Sequence, residues 1–274
     1  MKADIASHYT SGELLARLQR LLVEEGADPA RPTLEQLAPF DQFHGRGLEA
    51  TVELADSLPV SGGDHLLDVG SGIGGPARYL ARRFGCRVTG IDLTAEFVEV
   101  AKKLTALLGL EDRVRFEQGD ALAMPFEKGT FSGAYSMNVS MNIADKAALY
   151  REIRRVLRPG GWLVLSEVAK GPGPAMDYPT PWAATREASF LQTPEETRAG
   201  LEAAGFRIER LRDTLAATMA FGKRAREMVE RGGKAPHRAV ELIHGGLAKT
   251  AMANMSAGLK EGSVLPIEVF ARAP

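Results

Sequence analysis

Residues 65–85, HLLDVGSGIGGPARYLARRFG, decide the fold, because an apolar run gives way there to a glycine turn and then to a helical pattern. Leu66, Leu67 and Val69 form the short apolar run typical of a strand buried in a parallel sheet. The glycines within residues 70–75 let the backbone approach a ligand, and the following helix directs free N–H groups at it. Strand, glycine turn and helix together predict a nucleotide-binding βαβ unit.

Two acidic residues narrow the kind of nucleotide. The turn fits the pattern GxGxxG through Gly70, Gly72 and Gly75, so a nicotinamide-dependent oxidoreductase is one interpretation. Asp68, two residues before the first glycine, favours another, because a carboxylate at a strand end can meet a cationic ligand. Asp92 follows Gly70 by 22 residues, about the spacing at which an acid binds ribose hydroxyls in such folds.

The rest of the chain to residue 170 repeats the alternation of strand and helix. Helices are predicted over residues 95–108 and 144–157, the second ending at the proline and glycines of residues 158–161. The predicted strands cover residues 65–69, 87–92, 114–117, 131–137 and 162–168. This alternation predicts an α/β, Rossmann-like, mostly parallel sheet that binds ligands beyond the carboxyl ends of its strands.

Composition excludes several classes of protein. Lys and Arg number 34 against 35 Asp and Glu, giving a net charge of −1 and no broad basic field for nucleic acid. The single cysteine, Cys86, excludes an intramolecular disulfide and a cysteine-ligated metal site. No metal-binding cluster, run of 18 apolar residues or signal peptide is visible, so we expect no metal, no membrane partner and a cytoplasmic location.

These motifs, in this order, resemble the class I S-adenosylmethionine-dependent methyltransferases, most strongly over residues 60–170. The resemblance implies a seven-stranded sheet with an antiparallel last strand, here residues 264–271, and S-adenosylmethionine as cofactor. The turn at residues 157–161 before the fifth strand is also typical. The implied donor-binding residues are Asp68, Gly70, Ser71, Gly72 and Gly74 for methionine, Asp92 and Leu93 for ribose, Asp120 and Ala121 for adenine, and Asn138.

The cap and residues 137–146 are similar to sarcosine/dimethylglycine N-methyltransferase-like and ubiquinone-type small-molecule methyltransferases. The implied reaction is in-line methyl transfer to an N- or O-nucleophile of a small molecule. Two alternatives stay open: the oxidoreductase, and a protein on the methyltransferase fold that transfers nothing. A homodimer is compatible with the sequence.

Three further segments distinguish this chain from a minimal fold. Residues 1–60 are predicted to form a helical cap on a methyltransferase domain of residues 61–274. A helical insertion at about residues 213–262, with helices over 215–229 and 237–259, precedes the last strand. The loop 171–190 is rich in proline and glycine. We expect cap, insertion and loop to cover the catalytic face together.

Four polar side chains are candidates for work on the acceptor. Asn138 and Asn142 follow the fourth strand, where the methyl group would be delivered, and can serve either in capping or in substrate contact. His44 lies in a glycine-flanked loop of the cap and is the leading candidate for a general base. His244 in the insertion is the alternative base, and each histidine can instead be structural.

Overall fold

A computed structural model describes residues 12–274 of the chain. Its centre is one seven-stranded sheet in the order β3-β2-β1-β4-β5-β7-β6. The strands are β1 His65–Val69, β2 Arg87–Asp92, β3 Val114–Gln118, β4 Phe131–Met137, β5 Leu157–Lys170, β6 Arg207–Asp213 and β7 Val264–Arg272.

The strand directions confirm the predicted Rossmann-like class. Strand β1 pairs in parallel with β2 and β4, and β7 runs antiparallel to both β5 and β6. Strand β5 begins at Leu157, earlier than predicted, because Leu157 pairs with Phe131 and the Gly160 N–H reaches the carbonyl oxygen of Ala273. The proline-glycine turn that ends the preceding helix therefore forms the beginning of β5, between β4 and β7.

Helices cover both faces of the sheet, and the first three described helices form the cap. The helices are α1 Leu14–Glu24, α2 Leu34–Asp41, α3 Gly47–Ser57, α4 Gly75–Phe84, α5 Ala95–Leu107, α6 Lys146–Val156, α7 Pro194–Ala203, α8 Leu215–Glu230, α9 Ala239–His244 and α10 Ala248–Glu261. The predicted helix over residues 237–259 is wrong as one element. Gly245 has a φ of +52°, which ends α9, and a short 3-10 turn precedes α10.

The three cap helices are continuous with the core. Leu14, Leu18 and Leu22 recur on one face of α1 and are all buried, in a cluster that also contains Ile73 of the glycine turn and Phe97 of α5. This packing places the cap over the nucleotide side of the sheet. Residues 1–11 of the predicted cap lie outside the described residues.

A fully buried ion pair also ties the cap to the sheet domain. Arg78 of α4 donates through Nη2 to Asp41 Oδ2 of α2 at 2.9 Å, and neither side chain is more than 1% exposed. Arg78 Nη1 also donates to Thr105 Oγ1 of α5. The charge of Arg78 is thereby balanced inside the protein rather than by solvent.

The insertion packs outside the cap instead of roofing a cavity. Helix α8 has no buried residue. His237 Nε2 lies 2.7 Å from the carbonyl oxygen of Gln42, and Arg17 Nη1 donates to the carbonyl oxygen of Leu242 at 2.8 Å. The insertion therefore supports the cap from behind.

Candidate functional site

One cavity opens at the carboxyl ends of β1, β2 and β4, where the fold class places its ligands. Most of the residues predicted from the sequence line it together. They are His44, Asp68, Gly70, Ser71, Gly72, Asp92, Leu93, Asp120, Ala121, Asn138 and Asn142. Gly74 lies just behind as the N-cap of α4, and His244 is not among the described lining residues.

The glycine turn is shaped for close approach. Gly70 has a φ of +72°, and a Cβ there would lie 2.4 Å from Val139 Cγ2. Gly72 has a φ of +53°, and a Cβ there would lie 3.1 Å from Phe43 Cδ2. Both positions therefore need glycine on conformational and steric grounds. They leave the start of α4 open to a ligand.

Asp68 and Ser71 carry polar atoms without partners. Asp68 is 3% exposed and Ser71 is 5% exposed. Among the described residues, Asp68 Oδ2 and Ser71 Oγ have no hydrogen-bond partner. Burial, with a smaller contribution from the charge of Asp92, raises the pKa of Asp68 to about 7 despite the opposing effects of Tyr135 and Arg78. A buried carboxylate left in this state is costly, so the site fits a cationic group.

Asp92 is oriented by its own backbone surroundings. Its Oδ2 accepts the N–H of Gly72 at 2.8 Å, and its Oδ1 accepts the N–H of Thr94 at 2.9 Å. Each oxygen keeps a further lone pair for a ligand hydroxyl. Thr94 stands at the N-cap of α5, but its side chain makes no capping bond to the helix. Burial raises the pKa of Asp92.

The third acidic position closes the nucleotide side. Asp120 follows β3, and its Oδ1 accepts the N–H of Leu122 at 3.0 Å, which holds the turn that carries Ala121. Both residues line the cavity. Orphaned polar atoms at Asp68 and Ser71, a glycine cradle and acids on three successive strand ends fit an adenine nucleoside that carries a positive charge.

His44 lies in the cavity wall but is held by the cap. Its Nε2 lies 3.1 Å from Thr51 Oγ1 and 3.3 Å from Gln42 Oε1, and its Nδ1 lies 3.2 Å from the carbonyl oxygen of Gly45. Complete burial lowers the pKa of His44 to about 3. These contacts and this pKa argue against His44 as a proton acceptor at neutral pH.

His244 occupies a position away from the cavity. Its Nε2 lies 3.0 Å from the carbonyl oxygen of Pro181, between the insertion and the loop 171–190. Burial lowers its pKa. Among the described residues, none from that loop or from residues 213–262 lines the cavity. The expectation that these two segments cover the catalytic face directly is therefore corrected.

Asn138 and Asn142 both line the cavity and are both bonded to protein. Asn138 has a φ of +56°; its side-chain nitrogen donates to the carbonyl oxygen of Ser166 and its oxygen accepts the N–H of Gly45, each at 3.2 Å. Asn142 Nδ2 donates to the carbonyl oxygen of Trp182 at 2.6 Å. The two asparagines thus tie the segment after β4 to the cap and to the loop 171–190.

Sequence analysis missed Glu167, which shapes the same segment. Glu167 of β5 is 4% exposed, and its carboxylate accepts the N–H groups of Val139 and Ser140 at 3.1–3.4 Å. Burial raises its pKa to about 7, and these hydrogen bonds and Lys146 oppose the rise. A lone acid inside the apolar run LVLSEV was the available signal.

The cap contributes wall residues that were also missed. Phe43 lines the cavity, lies against Gly72 and packs edge-on against Phe97 with ring centroids 5.2 Å apart. Asp41 lines it as well, with its charge held by Arg78. The cavity is incomplete without the cap.

Residues 12–274 lack two other kinds of structural feature. They contain no group of three or more His, Cys, Asp or Glu side chains arranged to hold a metal ion. They also contain no helix that is both long enough and apolar enough to cross a membrane.

Comparison with known proteins shows which proteins resemble this chain around the site. Residues 67–165 match the family described as "Methyltransferase domain". The methyltransferase GfsG of Streptomyces halstedii is 33% identical over 166 residues, which are 60% of this chain and 58% of GfsG. The chain spans between 25% and 58% of the length of the first curated relatives that it matches.

Two solved structures are similar to this chain over a longer stretch than the curated relatives are. Geranyl diphosphate methyltransferase in complex with S-adenosylmethionine is 25% identical, with a TM-score of 0.65, over 82% of this chain and 85% of that one. The cyclase SpnF is 25% identical, with a TM-score of 0.68, over 94% and 93%.

The glycine cradle and strand-end acids, together with these similarities, define a Rossmann-like donor-binding domain. Residues 67–165 carry the methyltransferase domain, and the chain is similar beyond that stretch to class I S-adenosylmethionine-dependent methyltransferases. S-adenosylmethionine is the cofactor of this class. The oxidoreductase interpretation has no support among these proteins.

Proposed function

We propose that this protein transfers the methyl group of S-adenosylmethionine to an N- or O-nucleophile of a small molecule by in-line displacement. The observation that carries the proposal is one cavity in which unpartnered polar atoms and an apolar wall lie together. Asp68 Oδ2 and Ser71 Oγ, which lack partners among the described residues, mark its donor half. The residues after β4, such as Asn142 and Ile143, and His44 of the cap mark its acceptor half. An enclosed, mostly apolar pocket of this kind suits a small acceptor better than a macromolecule.

The donor residues have separable roles in this proposal. Asp68 binds the ammonium group of the methionine, and the N–H groups at the start of α4 face its carboxylate. Asp92 accepts the ribose hydroxyls, since both its oxygens are already aligned by backbone N–H groups. Asp120 and the backbone of Ala121 contact the adenine. The donor supplies a methyl group already activated by the adjacent sulfonium charge.

The acceptor half contributes alignment rather than proton transfer. His44 is a weak base because its pKa lies near 3, and Asn142 is bonded to Trp182. We therefore propose that these residues and Glu167 hold the wall in place while the cap excludes water. Orientation of this kind accounts for up to about 7–11 kcal/mol of a barrier.

Turnover is the decisive test, because a cyclase shares this fold and fold does not determine function. The protein is incubated with S-adenosylmethionine and a metabolite library, and mass spectrometry follows S-adenosylhomocysteine and products heavier by one methyl group. Asp92→Ala serves as the inactive control. Formation of a methylated product only with the unmodified protein supports the proposal, and donor binding without any product contradicts it.

A cytoplasmic location and a homodimer stay predictions from the sequence. Cell fractionation tests the first, and light scattering of the purified chain tests the second.

A further inference from the structure

The charges that line the cavity are all of one sign. Five carboxylates face it among the described lining residues, and none of those lining residues is a lysine or an arginine. The five are Asp41, Asp68, Asp92, Asp120 and Asp145. Acidic side chains in a recessed, low-dielectric wall reinforce each other's field.

The buried cations nearest the cavity are each held by protein atoms. Arg78 is paired with Asp41 at 2.9 Å, which balances that carboxylate and leaves the other four. Lys146 is 6% exposed, but its Nζ donates to the carbonyl oxygens of Ile143 and Phe190. Arg46 is 8% exposed and is paired with Glu53. None of these three cations lines the cavity.

A bound donor reduces the negative charge without reversing it. S-adenosylmethionine carries two positive groups and one carboxylate, so its net charge is positive by one unit. Asp68, Asp92 and Asp120 face it, and Asp145 remains at the edge. Burial raises the pKa values of both Asp68 and Asp92, and the charge of Asp92 contributes to the rise at Asp68.

We propose that the acceptor is an apolar alcohol or amine without a phosphate or carboxylate group. This inference rests on the proposed function and specifies its substrate class. The apolar part of such an acceptor packs against Phe43, Val139 and Ile143. An anionic group at the same place finds no cation among the described lining residues and meets an excess of carboxylates, so its desolvation is not compensated.

The test measures binding to protein saturated with S-adenosylhomocysteine. The probes are matched sets that share a tail and differ in the head group: alcohol, amine and phosphate ester of phenylethyl, geranyl and decyl chains. Saturation-transfer NMR and calorimetry give the affinities. We expect an alcohol or amine to bind at least about 100-fold more tightly than the phosphate with the same tail, as repulsion in a low-dielectric site requires.

A charge variant sharpens the measurement. Ala144 is exposed and lines the cavity, so Ala144→Lys adds a cation at the wall with little cost in packing. This variant should narrow the preference for alcohol over phosphate by about tenfold, the size expected of one partly screened charge. The matched control is Ala203→Lys at an exposed alanine of α7 that does not line the cavity, and it should leave the preference unchanged.

Two results overturn the inference: a phosphate ester that binds as tightly as its alcohol, or a panel in which no alcohol or amine binds. Should Ala144→Lys unfold on heating at a much lower temperature, Leu122→Lys at another lining position replaces it. Conversion of the donor is measured separately with the same panel. Alcohols that bind but are never methylated contradict the proposed function and leave the charge preference standing.

Discussion

The donor half and the acceptor half of the cavity use their polar groups in opposite ways. In the donor half, Asp68 Oδ2 and Ser71 Oγ are buried and unpartnered among the described residues, so they are poised for a ligand. In the acceptor half, His44, Asn138 and Asn142 are each bonded to protein atoms. The difference indicates that the donor half offers unoccupied polar atoms to its ligand, whereas the polar side chains of the acceptor half are already used to hold the wall.

Removing the charge of Asp68 should have the largest effect. Asp68→Asn should weaken S-adenosylhomocysteine binding by about 2–3 kcal/mol, since a hydrogen bond to a charged group is lost. The melting temperature of the free protein should not fall, because the substitution relieves a buried carboxylate. Calorimetry and thermal unfolding measure the two effects. Glu268→Gln, a buried acid on β7 that is paired with Arg212, is the control and should retain full affinity.

Asp92 tests the ribose contact in the same half. Asp92→Ala should weaken S-adenosylhomocysteine binding by about 1–3 kcal/mol, roughly the penalty for leaving ligand hydroxyls without partners. The circular dichroism spectrum should stay unchanged. An unaltered affinity in calorimetry would remove Asp92 from the donor site.

The pH dependence of donor binding separates the two halves directly. Asp68 must be ionised to bind an ammonium group, and its pKa in the free protein is about 7. Affinity for S-adenosylhomocysteine should therefore fall as the pH drops below 7, approaching tenfold per unit. His44→Gln should leave this curve unchanged, because His44, with a pKa near 3, stays neutral throughout.

The free protein should show the complementary trend in stability. Between pH 4 and pH 7 the native Asp68 holds a proton that the unfolded chain has released, so the free energy of unfolding falls as pH rises. Asp68→Asn should flatten the binding curve and reduce the slope of the stability curve, which keeps the contribution of Glu167. If His44→Gln flattens the binding curve and Asp68→Asn does not, the group that titrates is His44 of the cap.

Glu167 should give the smallest effect and the most local one. In Glu167→Gln the amide nitrogen cannot accept the N–H of Val139 or Ser140, so about 1–3 kcal/mol of stability is lost. Hydrogen exchange at these two amides should accelerate, and S-adenosylhomocysteine affinity should fall only a few-fold. Glu268→Gln should lower stability without changing that exchange. Equal exchange in Glu167→Gln and the unmodified protein would show that the carboxylate does not hold this segment.

The donor half could be predicted because its determinants are local in sequence. Residues 65–75 contain the strand, the turn and the acid together, and Asp92 and Asp120 end the next two strands. Pattern and spacing therefore placed these residues at one edge of the sheet. The mostly parallel sheet followed from the same alternation of strands and helices.

The acceptor half could not be predicted because it depends on contacts between distant segments. Glu167 is 28 residues from Val139, and Asn142 meets Trp182 across 40 residues. The low pKa of His44 follows from its burial beside Thr51 and Gln42, which the spacing of residues in the sequence does not reveal. The break in the insertion at Gly245 was visible as a glycine pair, but helical composition on both sides outweighed it.

Because of the buried pair of Arg78 and Asp41, the cap and the donor-binding domain cannot be exchanged independently between related proteins. A chimera that takes residues 1–60 from another methyltransferase and keeps Arg78 would strand a charge beside the glycine turn unless the new cap also supplies an acid at position 41. Breaking a buried pair from one side costs about 3–5 kcal/mol. Changes in acceptor preference are therefore reached more readily by substituting wall residues such as Phe43 in place than by exchanging the whole cap.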